Sequence, residues 1–149
     1  MKTKRISASL RRRVSAQSGF RCGYCLTPEM ISGARMVLDH IIPQAAGGLT
    51  TEENLWLACH SCNEFKGAQV QGRDRGGRRV RIFDPRRQRW RDHFAWGRDG
   101  TRIISLSSCG EATSRRYNSI MTRWFRQGVY GFRSAGGLQR AEAPMPGDS

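Results

Sequence analysis

Two things are scarce in this sequence of 149 residues: long apolar segments and acidic side chains. No apolar run approaches the length of a signal-peptide core or a membrane-spanning helix, so we predict neither. Apolar residues make up only 38% of the chain, which suits one ordinary soluble domain with an extension and not two large cores. A core this thin would gain from a bound structural metal.

The shortage of acidic residues leaves the chain strongly basic. Asp and Glu number 12 against 26 Lys and Arg, for a formal net charge of +14. The excess is mostly arginine, whose planar guanidinium suits phosphate. A merely soluble basic protein is the simpler interpretation, but we expect a nucleic-acid partner.

The five cysteines form two tight pairs, 22/25 and 59/62, with Cys109 apart from both. Secreted disulfide frameworks usually have an even number spread through the loops, so a reducing, cytoplasmic location is expected. Two Cys-x-x-Cys turns supply four sulfurs that can bind one zinc ion tetrahedrally and leave no position open for water, which predicts a structural metal. A thioredoxin-like redox pair is the alternative, but the surrounding βαβ pattern is missing. Cys109 is expected to be an ordinary thiol.

Periodicity and turn residues predict the elements around these cysteines. Ser7 is a typical cap for a short helix that ends at Gly19, and Gly23 suits a sharp turn between the first two cysteines. Two apolar segments of strand length, 34–42 and 55–58, are separated by a loop and favour an antiparallel hairpin. A helix should follow the second cysteine pair.

The composition changes at residue 72. Residues 72–79 contain little but arginine and glycine, typical of a loop, and apolar residues over 80–106 recur at mainly two-residue spacing, which predicts a small β addition. Apolar side chains over 117–125 recur at helical spacing. Residues 133–149, rich in glycine and proline, are predicted to form a flexible tail.

Asp39 and His40 stand next to each other at the end of a predicted strand, so their side chains should point to opposite faces. Phosphodiester hydrolysis needs a deprotonated water and a cation near the phosphate. Histidine can accept that proton near neutral pH. A hard ion such as Mg²⁺ is expected to accept the oxygens of Asp39 and Asn63.

These residues resemble the HNH endonucleases, a branch of the ββα-metal nucleases. The resemblance covers roughly residues 20–67 and rests on the motifs Cys22-x-x-Cys25, Asp39-His40-Ile-Ile-Pro43, Gly47-Gly48, Glu53-Asn54-Leu55 and Cys59-x-x-Cys62-Asn63-x-x-Lys66. It implies an α+β fold in which a ββα-metal core is held by a four-cysteine zinc site. An N-terminal helix and a C-terminal β-hairpin plus helix extension would complete the chain. The predicted parts are the core at 1–71, a basic extension at 72–132 and the tail at 133–149.

The resemblance also implies roles for individual residues. His40 would be the general base, and Asp39 and Asn63 would hold a catalytic Mg²⁺ or Mn²⁺. Asn63 stands where the family has its final histidine, and Asn54 would tie the loop to the hairpin and orient His40. The reaction implied is DNA hydrolysis that leaves 5′-phosphate and 3′-hydroxyl ends. The candidates for nucleic-acid binding are Lys66, Arg73, Arg75, Arg78 and Arg79.

Two other functions stay open at this point. A zinc-stabilised module that binds nucleic acid without cutting it would need only the cysteines and the charge. Under that hypothesis Asp39, His40 and Asn63 would have no reason to occur together. A nuclease toxin acting between cells is a third possibility, for which the sequence shows no delivery segment.

Overall fold

The computed structural model describes residues 5–100 and 102–115. The elements in chain order are α1 (Ala8–Gln17), β1 (Val37–His40), β2 (Leu55–Ala58), α2 (His60–Lys66), β3 (Gln71–Arg73), β4 (Arg79–Arg81), α3 (Trp90–His93), β5 (Phe94–Trp96), β6 (Ile103–Ser105) and a helical segment, α4, at 108–115. Short 3₁₀ turns at Gln44–Ala46 and Glu52–Asn54 lie between β1 and β2.

Helix α1 begins and ends where its sequence predicts. The Ser7 side chain accepts a hydrogen bond from the amide of Leu10, which satisfies one of the free N–H groups of the first turn. Ser18 follows the last helical residue, and Gly19 has a φ of 60°, a conformation that glycine adopts without strain. The helix packs against β2 and buries Val14 completely.

Strands β1 and β2 form an antiparallel hairpin in which Leu38 pairs with Leu57 and His40 with Leu55. The strand predicted over 34–42 is shorter in the structure, because amides at both ends bond to side chains instead of to a neighbouring strand. The Met36 amide donates to Glu29, and the Ile42 amide donates to Asn54.

Helix α2 follows β2 almost directly and packs against β1. Hairpin and helix together make the ββα unit, so the predicted α+β fold with short antiparallel sheets is confirmed. In the part of the chain that the structure describes, no helix is long and apolar enough to span a bilayer.

The extension differs from its prediction in two places. The ends of the predicted 72–79 loop are strands, because Arg73 pairs with Arg79 and Gly72 with Val80, and only the middle is a turn. Trp90, predicted within a β addition, lies in helix α3. The hairpin of β5 and β6 forms where it was expected, around a turn at 97–100.

Core and extension share one apolar cluster. The Trp90 indole donates a 2.8 Å hydrogen bond to the carbonyl of Tyr24, and Phe83 and Phe94 pack in the same cluster as the hairpin leucines. The helix predicted at 117–125 and the tail at 133–149 lie outside the described residues. The division of the chain at residues 71 and 132 stays a prediction.

Candidate functional site

The four paired cysteines come together in space. The Sγ atoms of Cys22, Cys25, Cys59 and Cys62 all lie within 4.8 Å of one another. The Cys25 and Cys59 sulfurs are 3.9 Å apart, close to the separation of about 3.8 Å that four ligands at typical Zn–S distances would have. The chemistry and spacing of these donors therefore fit a tetrahedral, thiolate-bound metal.

Local structure holds each cysteine pair in place. Cys59 caps the N-terminus of α2, where its sulfur accepts a hydrogen bond from the Cys62 amide. In the first pair Gly23 lies in a turn, as expected, but its φ is not positive, and the left-handed residue there is Leu26, with φ 58°. Glycine is needed at position 23 because an added Cβ would lie 2.2 Å from the Trp56 ring.

The thiols differ in how readily they ionise. Burial raises the pKa of Cys22. Hydrogen bonds lower the pKa of Cys25, and the bond with Cys22 has the largest effect. Hydrogen bonding to Cys22 raises the pKa of Cys62 and lowers that of Cys59. A bound cation would favour the thiolate form of all four, because metal binding releases the ligand protons.

Asp39 lies inside the ββα unit, between β1 and α2. Its Oδ1 accepts a 3.0 Å hydrogen bond from the ammonium of Lys66, and its Oδ2 accepts one of 2.7 Å from the hydroxyl of Tyr24. Lys66 also donates to the carbonyl of His40 at 2.7 Å. Burial raises the pKa of Asp39, and Lys66 and Tyr24 oppose that shift. Tyr24 was not identified from the sequence as a site residue. The feature that could have indicated it is its position between Cys22 and Cys25.

His40 lies on the opposite face of β1 and is partly exposed. Its Nε2 lies 2.9 Å from the hydroxyl of Thr50, which also accepts a hydrogen bond from Gln44. Burial lowers the pKa of His40, and the charge of Asp39 partly offsets this effect. Thr50 therefore fixes the ring orientation, and nothing in its local sequence indicated that contact.

Asn54 joins the loop between the strands to the end of β1. Its Oδ1 accepts from the Ile42 amide, and its Nδ2 donates to the carbonyls of Ile42 and Leu49. Gly48 is enclosed by the same loop, since a Cβ there would lie 1.7 Å from the Ile42 carbonyl oxygen. These contacts tie the loop that carries Thr50 to the end of β1.

Asn63 lies on α2 directly after Cys62 and is partly exposed. Residues three apart on a helix share a face, so Asn63 lies on the side of α2 from which Lys66 reaches Asp39. A carboxylate and an amide oxygen are donors that a hard divalent ion accepts. Each Asp39 oxygen keeps a second lone pair after its bond to Lys66 or Tyr24. The donors therefore fit such an ion, with the Lys66 ammonium as a competing positive charge.

The four arginines predicted to bind nucleic acid have different surroundings. Arg75 pairs with Glu111 at 3.7 Å, and Arg78 with the buried Asp74 at 3.0 Å. Arg73 donates to the carbonyl of Gly77. Arg79 is exposed on β4.

The segment that contains the cysteine cluster, the Asp39–His40 pair and helix α2 also matches the family model for HNH endonucleases, over residues 22–69. Residues 22–69 form an HNH endonuclease domain. The HNH domain is similar to part of the CRISPR-associated endonuclease Cas9 of Corynebacterium diphtheriae, with 48% identity over 48 residues. The match covers 32% of this chain and 4% of that relative, so the chain spans only a small part of the relative's length. No solved structure matches the chain significantly.

Proposed function

We propose that the HNH domain is a metal-dependent endonuclease that hydrolyses phosphodiester bonds in DNA. The observation that carries the proposal is the placement of two consecutive residues at the end of β1. The carboxylate of Asp39 faces α2, which carries Asn63, and the imidazole of His40 faces the loop held by Asn54. A metal ligand and a base on opposite faces of one strand can act on a phosphate from two directions.

In this proposal His40 is the general base. Burial keeps its pKa below the ordinary value, so the ring is neutral near pH 7 and able to accept a proton from the attacking water. Water adds to phosphorus, the bond to the 3′-oxygen breaks, and the products carry a 5′-phosphate and a 3′-hydroxyl. Thr50 orients the ring, and Asn54 holds the loop that carries Thr50.

We propose that Asp39 and Asn63 hold the catalytic cation, Mg²⁺ or Mn²⁺. When bound, that cation would supply positive charge to offset the charge that develops on the scissile phosphate. The second metal is a structural zinc at Cys22, Cys25, Cys59 and Cys62. Its four protein ligands leave no position for a reacting water.

The predicted nucleic-acid contacts separate into two groups. The Lys66 ammonium is buried beside Asp39, so it can contact phosphate only at the reaction site itself. Arg73, Arg75, Arg78 and Arg79 belong to the hairpin that starts five residues after Lys66, and they are proposed to contact DNA outside that site.

Cleavage of supercoiled plasmid by the zinc-loaded full chain tests the proposal. Parallel reactions contain Mg²⁺, Mn²⁺, Ni²⁺ or a chelator, and zinc content is measured in each. A single HNH site cuts one strand, so nicked circles should form first, in divalent metal and not in chelator. DNA binding without nicking in any metal would support the alternative, a zinc-stabilised binding module that cuts nothing.

A further inference from the structure

The hairpin of β3 and β4 has one face that carries almost only arginine. Side chains alternate along strands and paired residues share a face, so this outer face consists of Gln71, Arg73, Arg79 and Arg81. All four are exposed. In the register Arg73 lies opposite Arg79, and Gln71 lies opposite Arg81. Arg81 lies beyond the predicted 72–79 loop and was not among the arginines predicted to bind nucleic acid.

The other face of the hairpin is fixed to α4. A Cβ on Gly72 would lie 2.4 Å from the carbonyl oxygen of Ala112, so the backbones are in direct contact. The turn is closed by Asp74, whose carboxylate accepts from the Arg78 amide at 2.9 Å. Arg115 donates to the Asp74 carbonyl. The hairpin that carries the outer face is therefore held in place by its contact with α4 and by the hydrogen bonds of its turn.

No carboxylate of the described residues pairs with the arginines of the outer face. Across residues 5–100 and 102–115, Arg79 and Arg81 have no carboxylate partner, and Arg73 bonds only to a carbonyl. Arg75 and Arg78, by contrast, are paired with acidic side chains of the extension. Within the described part of the chain, three guanidinium groups thus lie on one face without a carboxylate partner.

We propose that the outer face of this hairpin binds the phosphate backbone of a nucleic acid, without reading its sequence. Arg79 and Arg81 are two residues apart on one strand, so their Cα atoms are separated by about 7 Å. Backbone charges recur about every 3.4 Å along each strand of a duplex, so flexible arginines at that spacing can reach separate phosphates.

The location of the hairpin supports the same partner. The Gln69 amide bonds to the carbonyl of Lys66, the last residue of α2, and β3 begins two residues later. The arginine face is therefore connected by a short segment to the helix that carries Asn63. The inference rests on the proposed function only in taking nucleic acid as the partner.

Fluorescence anisotropy with a labelled DNA duplex, over a range of salt concentrations, tests this assignment. The protein is the zinc-loaded full chain with His40→Ala and no added Mg²⁺, so that binding is measured without cleavage. Adding Arg79→Gln and Arg81→Gln should weaken binding and reduce the slope of log K against log salt by about 2, since each phosphate contact contributes about 0.9.

The matched control is Arg98→Gln with Arg102→Gln, which removes the same charge from exposed positions around the β5–β6 turn. It should leave the slope nearly unchanged. An equal loss in both double variants, or no loss in the first, would overturn the assignment. So would an equal loss of binding to vesicles containing phosphatidylserine, which would indicate a cationic surface that binds any polyanion. If the chain binds DNA but is not a nuclease, plasmid cleavage will be absent, and the two double variants will still differ in their salt slopes.

Discussion

The ammonium of Lys66 lies 3.0 Å from the carboxylate of Asp39, and both side chains are almost fully buried, at 1% and 5% exposure. Burying a single charge of either sign would cost free energy, and each of these two charges offsets part of the cost of burying the other. The lysine thus provides positive charge beside the carboxylate to which we assign the divalent ion.

Lys66→Met should therefore have two opposite effects. The metal-free protein should lose about 3–5 kcal/mol of stability, because the Asp39 carboxylate is left buried with no opposite charge beside it and only its hydrogen bond from Tyr24. Mg²⁺ should bind more tightly, because the competing charge is gone. Chemical unfolding without Mg²⁺ and calorimetric titration with it measure the two effects.

The matched control for Lys66→Met is Arg12→Met, which removes a positive charge from the exposed side of α1. It should change neither quantity. Adding Asp39→Asn to Lys66→Met should restore part of the lost stability. Weaker or unchanged Mg²⁺ binding in Lys66→Met would contradict competition between lysine and metal.

Thr50→Val should slow cleavage with little effect on stability. The hydroxyl lies 2.9 Å from Nε2 of His40, and a ring free to rotate is less often aligned with the attacking water. A loss of roughly 10-fold to 100-fold in single-turnover rate is expected. Thr51→Val is the control, since Thr51 makes no side-chain capping bond to the 3₁₀ turn after it. Equal cleavage rates for Thr50→Val and Thr51→Val would show that the Thr50 hydroxyl does not orient His40.

Asn54→Ala should destabilise the loop between the strands. Three hydrogen bonds are lost, to the amide and carbonyl of Ile42 and the carbonyl of Leu49, at an expected cost of about 1–3 kcal/mol. Asn54→Asp keeps only the acceptor and sets a carboxylate against two carbonyl oxygens, so it should not restore stability. Urea unfolding and hydrogen exchange at the Ile42 amide measure both variants. Unchanged exchange in Asn54→Ala would argue against this role.

Removal of the cysteine-bound metal should unfold the HNH domain. Cys62→Ser should lose bound zinc and melt at a lower temperature, because structural zinc contributes directly to folding. Cys109→Ser is the control, since its sulfur lies outside the four-cysteine cluster. Metal analysis measures the zinc content of each variant, and thermal melts measure its stability. Full zinc content in Cys62→Ser would exclude that residue as a ligand.

The sequence predicted features of this domain that depend on short-range spacing. Two Cys-x-x-Cys turns and a ββα pattern can be recognised because each ligand pair and each element is local in the chain. The contacts of Asp39 could not be predicted, because Tyr24 and Lys66 reach it from segments 15 and 27 residues away.

The extension was harder to predict because its strands lack the usual pattern. In β3 and β4 the inward positions are Gly72 and Val80, so the apolar alternation that indicates a strand is almost absent. Trp90 contacts the Tyr24 carbonyl from a four-residue helix too short to show a helical period. Tertiary packing, not local preference, determines the structure there.

We propose that His40 accepts the proton during DNA cleavage, and plasmid nicking by His40→Ala, compared with His60→Ala, measures that role. His60 lies at the exposed start of α2, and among the described residues the one hydrogen bond of its side chain joins it to the Arg35 carbonyl. His40→Ala should cut at least about 100-fold more slowly than the parent while keeping its zinc, its melting temperature and its DNA affinity, and His60→Ala should cut normally. Nicking by His40→Ala at the parent rate would show that another group accepts the proton.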